Sequence, residues 1–216
     1  PGQQIDVALP DGSRLRLDTA TRAEVTLYRQ RREVRLTEGQ AVFQVERDPD
    51  RPVDVMAGPA QVTVVGTRFS VRNTPRTPGF GGIHVAVEEG IVRVKSRSGS
   101  NADGRAEGVE LTAGQQLTVD AGGLTGPIRS LPVGGMAPWR DGRISFDNVP
   151  LSDALAEFER YGRTGLVVHD EKVGQMRLSG TFDPARLANF KLALPKVLPV
   201  RLHSESAGTT EIVAAP

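Results

Sequence analysis

The sequence contains no cysteine and only three histidines, which lie far apart at positions 84, 169 and 203. The absence of cysteine excludes disulfides, thiol catalysis and thiolate metal sites. Histidines so widely spaced do not indicate a metal cluster, so we expect no metal and no cofactor. The H-E-x-x-H, G-x-S-x-G and phosphate-loop patterns of common catalytic sites are also missing.

Long apolar runs and an excess of charge of one sign are missing as well. No stretch approaches the ~18 uninterrupted apolar residues that a membrane helix needs. Lys and Arg number 27 against 26 Asp and Glu, a formal net charge of +1, which gives no electrostatic reason to expect nucleic-acid binding. With 38% apolar and 25% charged residues, the chain has the composition of a folded globular protein.

Glycine is abundant, and it precedes a short alternating strand at five places: Gly12, Gly39, Gly66, Gly90 and Gly114. The successive spacings are 27, 27, 24 and 24 residues. A glycine turn followed by a strand with one buried face is typical of coiling β units that stack to bury their apolar faces. The pattern predicts a repetitive β-sandwich or solenoid-like lobe over residues 1–120. An ordinary β fold, in which glycine also precedes strands, is the alternative.

Glycine and proline also predict the boundaries between segments. Residues 121–138 contain five glycines and three prolines, which predicts a linker between two lobes. The stretches 74–82 and 96–108, rich in Gly, Pro or Ser, predict exposed loops, the second of them mobile.

The apolar period changes after the predicted linker. Apolar residues between Leu151 and Tyr161 follow helical spacing, and those between Met176 and Phe182 alternate as in a strand. Asp183–Pro184 has the composition of a helix N-cap and first turn. Residues 139–216 are therefore predicted to form a small βαβ–βαβ lobe, and the chain as a whole an α+β, mainly β fold.

Several phrases together resemble one protein family. The segments LPDGSRLRLDTATR, VRLTEGQAVFQVERDPDRPVDV, VTVVGTRFSVR, VAVEEGIVRV and LTAGQQLTV resemble the periplasmic domain of FecR-type sigma-factor regulators, the inner-membrane anti-sigma factors of Gram-negative iron-uptake signalling. The segment from WRDGRISFDNVPLSDALAEFERYGRTGLVV to LSGTF resembles the secretin/TonB short N-terminal (STN) module that ends these regulators. Gln40 stands where the family usually has Glu, and Ser70 where it usually has Asn. Both lie on predicted strands, so we expect altered surface contacts and an unchanged fold.

The resemblance implies that the chain is the periplasmic region of a single-pass inner-membrane protein of a Gram-negative bacterium. The chain begins at Pro1 without a methionine, so we expect a fragment or a processed product. The membrane anchor and the cytoplasmic segment that binds the sigma factor would lie outside this sequence.

The resemblance also implies a set of partners. The periplasmic region would bind the signalling domain of an outer-membrane TonB-dependent transporter and relay an iron-siderophore signal to an extracytoplasmic-function sigma factor. Periplasmic and intramembrane proteases would then release that factor. This is protein recognition rather than enzymatic turnover.

One peptide bond is a chemical candidate. Some members of the family cleave themselves at the Gly–Thr bond of a motif that here reads Gly66–Thr67. The resemblance implies an N→O acyl shift, in which the threonine hydroxyl attacks the preceding carbonyl and water hydrolyses the resulting ester. Glycine removes steric bulk at the attacked carbonyl. The alternative is a turn glycine followed by an ordinary β-branched strand residue.

The docking surface is expected on the second lobe, because small βαβ modules have short sheets whose free edges can accept a partner strand. The candidate strands are Gln175–Phe182 and Thr209–Val213. Their candidate contact residues are Gln175, Arg177, Ser179, Thr181, Thr209 and Ile212. The alternative is that both strands are internal to their sheets. An envelope glycan-binding β module is the other functional hypothesis, which the low aromatic content of 5% disfavours.

Overall fold

The computed structural model describes residues 2–97, 108–132, 135–204 and 208–215, and the chain divides into two compact units. The β unit consists of Gln3–Arg76 and Gly81–Ala137. The α/β unit consists of Pro138–Pro216 together with Pro1–Gly2 and Thr77–Phe80. The predicted α+β, mainly β fold is confirmed. Among the described residues, no helix is both long enough and apolar enough to cross a membrane.

The strands in the described part of the β unit form two sheets, which have one long strand in common. The strands are β1 (Ile5–Ala8), β2 (Arg14–Leu17), β3 (Arg22–Leu27), β4 (Arg32–Gln44), β5 (Val53–Ala57), β6 (Ala60–Val64), β7 (Arg68–Asn73), β8 (Ile83–Glu89), β9 (Ile91–Ser96), β10 (Val109–Thr112), β11 (Gln115–Val119) and β12 (Arg129–Ser130). One sheet has the order β3-β4-β5-β6-β9-β10, and the other β1-β2-β4-β7-β8-β11-β12. The first half of β4 belongs to one sheet and its second half to the other.

Alternate residues of these strands form one apolar core, as the period of two predicted. Within it the rings of Phe43 and Phe69 stack with their centroids 4.9 Å apart. Gly12, Gly90 and Gly114 have positive φ angles in turns, as the glycine pattern predicted. The predicted turn at Gly39 is wrong, since this glycine lies inside β4 with a φ of +98° and bends the strand from one sheet into the other.

Residues 121–132 of the predicted linker belong to the β unit instead. β12 pairs with β11, and Leu131 N donates to Gly114 O at 2.8 Å. Gly126 N donates to Thr118 O at 2.8 Å as well. The glycines and prolines there serve turns along β11, which composition alone does not distinguish from a linker. Residues 133–134 of this segment, and residues 98–107 of the predicted mobile loop, lie outside the described residues.

The α/β unit contains two small sheets. Its elements are a 3-10 helix (Pro138–Asp141), β13 (Ile144–Pro150), α1 (Leu151–Tyr161), β14 (Leu166–Val167), α2 (Glu171–Gly174), β15 (Arg177–Phe182), α3 (Leu187–Val197), β16 (Val200–Ser204) and β17 (Thr210–Ala214). β13 and β15 form an antiparallel pair, and the second sheet has the order β14-β17-β16. Between β14 and β15 the structure has the short helix α2, which the predicted βαβ–βαβ order did not contain. α1 and α3 bury Phe158 and Phe190 in a core that also contains Phe146.

Candidate functional site

Gly66 and Thr67 lie between β6 and β7, where the segment after β4 approaches closely. Val45 N donates to Thr67 O at 2.9 Å, and Asp48 N donates to Val65 O at 3.0 Å. A Cβ added at Gly66 would lie 2.7 Å from the Cβ and 2.8 Å from the Cα of Arg47. Since real Cβ atoms do not approach backbone so closely, this position requires glycine. Glycine is needed here because the backbone at Arg47 lies so close, and not because Gly66 has a positive φ angle.

The side chain of Thr67 is buried at 6% exposure, and its hydroxyl has no hydrogen-bond partner among the described residues. Gly90 packs against the other side of the Gly66–Thr67 peptide. A Cβ at Gly90 would lie 2.6 Å from Thr67 Cγ2 and 3.1 Å from Gly66 O. Native structures seldom leave a buried hydroxyl without a partner. The Gly66–Thr67 bond is thus enclosed, and no general base of the described chain is hydrogen-bonded to the hydroxyl.

β15 pairs with β13 on one side and with no described strand on the other. Gln175, Arg177, Ser179 and Thr181 are all exposed. Ser179 Oγ accepts a hydrogen bond from Asn148 N at 2.8 Å, and Thr181 Oγ1 lies 2.9 Å from Ser145 Oγ. The first bond lies at the irregular part of β13, and the second joins a regular pair of the two strands. They leave the opposite edge of β15 as an unpaired backbone edge.

The second predicted edge, Thr209–Val213, is wrong. β17 lies between β14 and β16, so neither side of it is a free edge. Ile212 is fully buried in the core, and Thr209 precedes the strand in a half-buried position. The edge strands of this sheet are β14 and β16, and β16 exposes Arg201 and His203. No local pattern in the sequence distinguishes an edge strand from a central one, because strand order depends on distant pairing.

A groove of about 680 Å³ lies at the end of β15 within the α/β unit. Its apolar wall is formed by Phe182 and Phe190, and its polar rim includes Arg143 and an ion pair between Arg186 and Asp183 at 3.3 Å. Thr181 of β15 also lines it. If a partner strand paired with the free edge of β15, this groove could therefore receive one of the partner's side chains.

Gln40 and Ser70, the two positions singled out in the sequence, lie on β4 and β7 of the second sheet of the β unit. Gln40 is only 7% exposed, and its amide donates to Asp18 Oδ2 at 2.5 Å. The expected surface role of Gln40 is therefore wrong, because the contact is internal. Ser70 is half-buried between Val42 and Ala86 in the strand register.

His84 belongs to the same sheet and lies opposite Arg72 and Thr118. Burial, with the positive charge of Arg72, lowers the pKa of His84 to about 4. Its Nδ1 lies 3.2 Å from Thr118 Oγ1. Across the described ranges, no group of three or more His, Cys, Asp or Glu side chains could hold a metal ion.

Comparisons with known proteins bear on both units. Residues 1–93 match the family model described as FecR protein. No curated protein is detectably similar to the chain in sequence. Two crystal structures of a candidate anti-sigma factor from Parabacteroides distasonis ATCC 8503 are similar over 100% of this chain and 96% of theirs. Their TM-scores are 0.80 and 0.79, at 23% sequence identity, a level at which the likeness shows the fold. The first 93 residues therefore match the FecR family model, and the whole chain shares the fold of that candidate anti-sigma factor.

Proposed function

We propose that this chain is the periplasmic signalling region of an inner-membrane sigma-factor regulator. The match of residues 1–93 to the FecR family model carries the proposal. The fold shared with a candidate anti-sigma factor over the whole chain supports it. In this proposal the α/β unit acts as an STN-like module, and the sigma factor is bound by a cytoplasmic segment that this sequence does not include.

The partner in this proposal is the signalling domain of an outer-membrane TonB-dependent transporter, which reports an iron-siderophore signal. We place its docking on the free edge of β15, where main-chain hydrogen bonds to an added strand would supply affinity. Arg177, Ser179 and Thr181 are exposed along this strand, and Gln175 is exposed just before it. The groove beside Phe182 and Phe190 would add specificity by accepting one side chain of the incoming strand. Docking would then make the regulator a substrate for periplasmic and intramembrane proteases.

A calorimetric titration of the whole chain with the isolated signalling domain of its transporter tests this proposal. The variant carrying Arg177→Glu and Thr181→Glu should bind about tenfold more weakly, because both changes lie on the β15 edge. Arg201→Glu on β16 is the matched control and should leave the affinity unchanged. A loss only in Arg201→Glu would move the docking site to β16. An absence of binding by the unmodified chain would contradict the regulator proposal and favour an envelope glycan-binding module.

A second proposal concerns self-cleavage at Gly66–Thr67, and the unpartnered hydroxyl of Thr67 favours it. The hydroxyl oxygen would attack the carbonyl carbon of Gly66, and the C–N bond would break as the amide nitrogen takes a proton and becomes the free amine of Thr67. Water would then hydrolyse the ester, leaving a carboxylate on Gly66 and restoring the hydroxyl. The enclosed peptide would supply the constraint that holds the two atoms together.

Intact mass spectrometry after prolonged incubation tests the cleavage. Two fragments whose masses add up to the mass of the whole chain plus one water would support it. Thr67→Val should abolish these fragments, and Thr67→Ser should retain them because it keeps a hydroxyl. An uncut mass throughout would contradict self-cleavage and leave the regulator proposal intact.

A further inference from the structure

A cleft of about 430 Å³ opens in the β unit between the middle of β4, the β5–β6 turn and the ends of β7 and β8. Its apolar surface comes from Leu36, Met56, Pro59 and Ile83. Leu36 and Ile83 also belong to the core, so this part of the wall is fixed by packing. The volume falls in the range of small-ligand sites.

One polar side chain is built into the cleft. Asn73 is 5% exposed, and its amide nitrogen donates to Leu36 O at 2.9 Å and to Thr37 O at 3.1 Å. Both donors of the side-chain amide are thus used by β4, which fixes its orientation. Its Oδ1 accepts no hydrogen bond from a described residue, and it lies 4.0 Å from where a Cβ on Gly58 would be. The oxygen is therefore a pre-oriented acceptor at the Gly58 wall of the cleft.

Among the described residues, the charged residues that line the cleft are both arginines, Arg35 and Arg97, and none of the lining residues is acidic. The main chain of Arg97 is fixed by a hydrogen bond, in which its backbone N donates to Pro59 O at 2.6 Å. Within the described part of the chain, its guanidinium has a single long contact, 3.4 Å to Gly58 O. Arg35 lies 3.3 Å from Glu33, which is outside the lining. No described carboxylate therefore pairs with the guanidinium of Arg97, whereas Glu33 pairs with that of Arg35.

We propose that this cleft binds the C-terminal end of an extended peptide whose last residue is aliphatic. The aliphatic side chain would lie on the apolar surface, and the amide N–H of the last residue would donate to Asn73 Oδ1. The terminal carboxylate would be held by Arg97 with help from Arg35, because guanidinium groups match the planar geometry of a carboxylate. An internal peptide segment lacks the carboxylate, and a fatty acid lacks the N–H, so neither meets all three features. This inference does not depend on the regulator proposal.

The experiment measures fluorescence anisotropy of a labelled hexapeptide ending in Leu-Val with a free carboxylate, titrated with the whole chain. Two matched ligands carry a C-terminal amide or an N-methyl group on the last peptide nitrogen. Each should bind at least about tenfold more weakly than the free acid. Unlabelled decanoate, as a competitor, should displace the peptide weakly or not at all.

Protein variants give the complementary comparison. Arg97→Gln should weaken binding about tenfold, whereas Arg93→Gln, on a nearby strand but outside the cleft, should not change it. Met56→Trp should fill the cleft and block binding, with circular dichroism as the check on folding. Binding of the free acid that is weakened by these ligand and cleft changes but not by Arg93→Gln supports the proposal. No saturable binding up to about 5 mM, equal binding of acid and amide, or displacement by decanoate at equal affinity overturns it.

Discussion

The guanidinium of Arg32 and the carboxylate of Asp11 form a buried ion pair at 2.5 Å, with side-chain exposures of 2% and 6%. Arg32 Nε also donates to Arg51 O at 2.8 Å, and Ser13 Oγ donates to Asp11 at 2.9 Å. Burial tends to raise the pKa of Asp11, but the hydrogen bonds from Arg32 and Ser13 outweigh it and hold this pKa below its ordinary value. The pair joins the start of β4 to the turn before β2.

We expect Asp11→Asn to lower the free energy of unfolding by about 3 kcal/mol, because it leaves the Arg32 charge buried without a counter-charge. The exposed pair Arg93–Glu110 is the control, and Glu110→Gln should cost less than about 1 kcal/mol. Chemical denaturation measures both values. The lowered pKa means that the Asp11 contribution is present above the unfolded pKa of about 4 and is lost as the pH falls through the folded pKa. Equal losses in the two variants would contradict this account.

The neutral state of His84 predicts a second pH dependence. Because the pKa of His84 is lowered from 6.5 to about 4, the unfolded chain binds more protons than the folded chain between these values. Stability should therefore fall as the pH falls through this window, by about 2 kcal/mol between pH 7 and pH 4.5 from this residue alone. His84→Gln should remove that part of the loss, and the exposed His169→Gln should not. Urea denaturation at both pH values measures it, and parallel losses in all three proteins would refute the role of His84.

Local patterns predicted the elements of this fold better than their pairing. The alternation around Phe69 and Val71 gave β7 correctly, because a buried face imposes a period of two. Asp183, in contrast, does not cap α3, which begins at Leu187 after Arg186. The central place of β17 depends on contacts with distant strands that leave no local signal.

The same limit applies to the candidate sites. The Gly66–Thr67 motif could be picked out by resemblance, but the approach of Arg47 to Gly66 and the missing partner of the Thr67 hydroxyl appear only in three dimensions. The cleft around Asn73 combines residues from separate strands and has no motif at all.

Two glycines with similar φ angles should respond differently to alanine. Gly39 has a φ of +98°, and a Cβ there would lie 2.5 Å from Thr21 Cα. Gly114 has a φ of +82°, with nothing within 4 Å of an added Cβ. Gly114→Ala should therefore cost only the left-handed strain, about 1 kcal/mol. Gly39→Ala adds a backbone clash and should cost at least about 3 kcal/mol or prevent folding. Similar melting temperatures for the two variants would show that β4 relaxes at its bend.

The hydroxyl of Thr67 should also have a measurable effect on stability. Thr67→Val keeps the shape of the side chain and removes a buried oxygen that has no partner, so we expect the free energy of unfolding to rise by about 1 kcal/mol. Thr63→Val is the matched control, because Thr63 Oγ1 donates to Asp54 Oδ1 at 2.6 Å. Removing that hydrogen bond should lower stability by about 1 kcal/mol. The two Thr→Val changes should thus have opposite signs in denaturant titrations. A loss of stability in Thr67→Val would mean that the hydroxyl is satisfied in solution, which would also remove the structural support for its attack on Gly66.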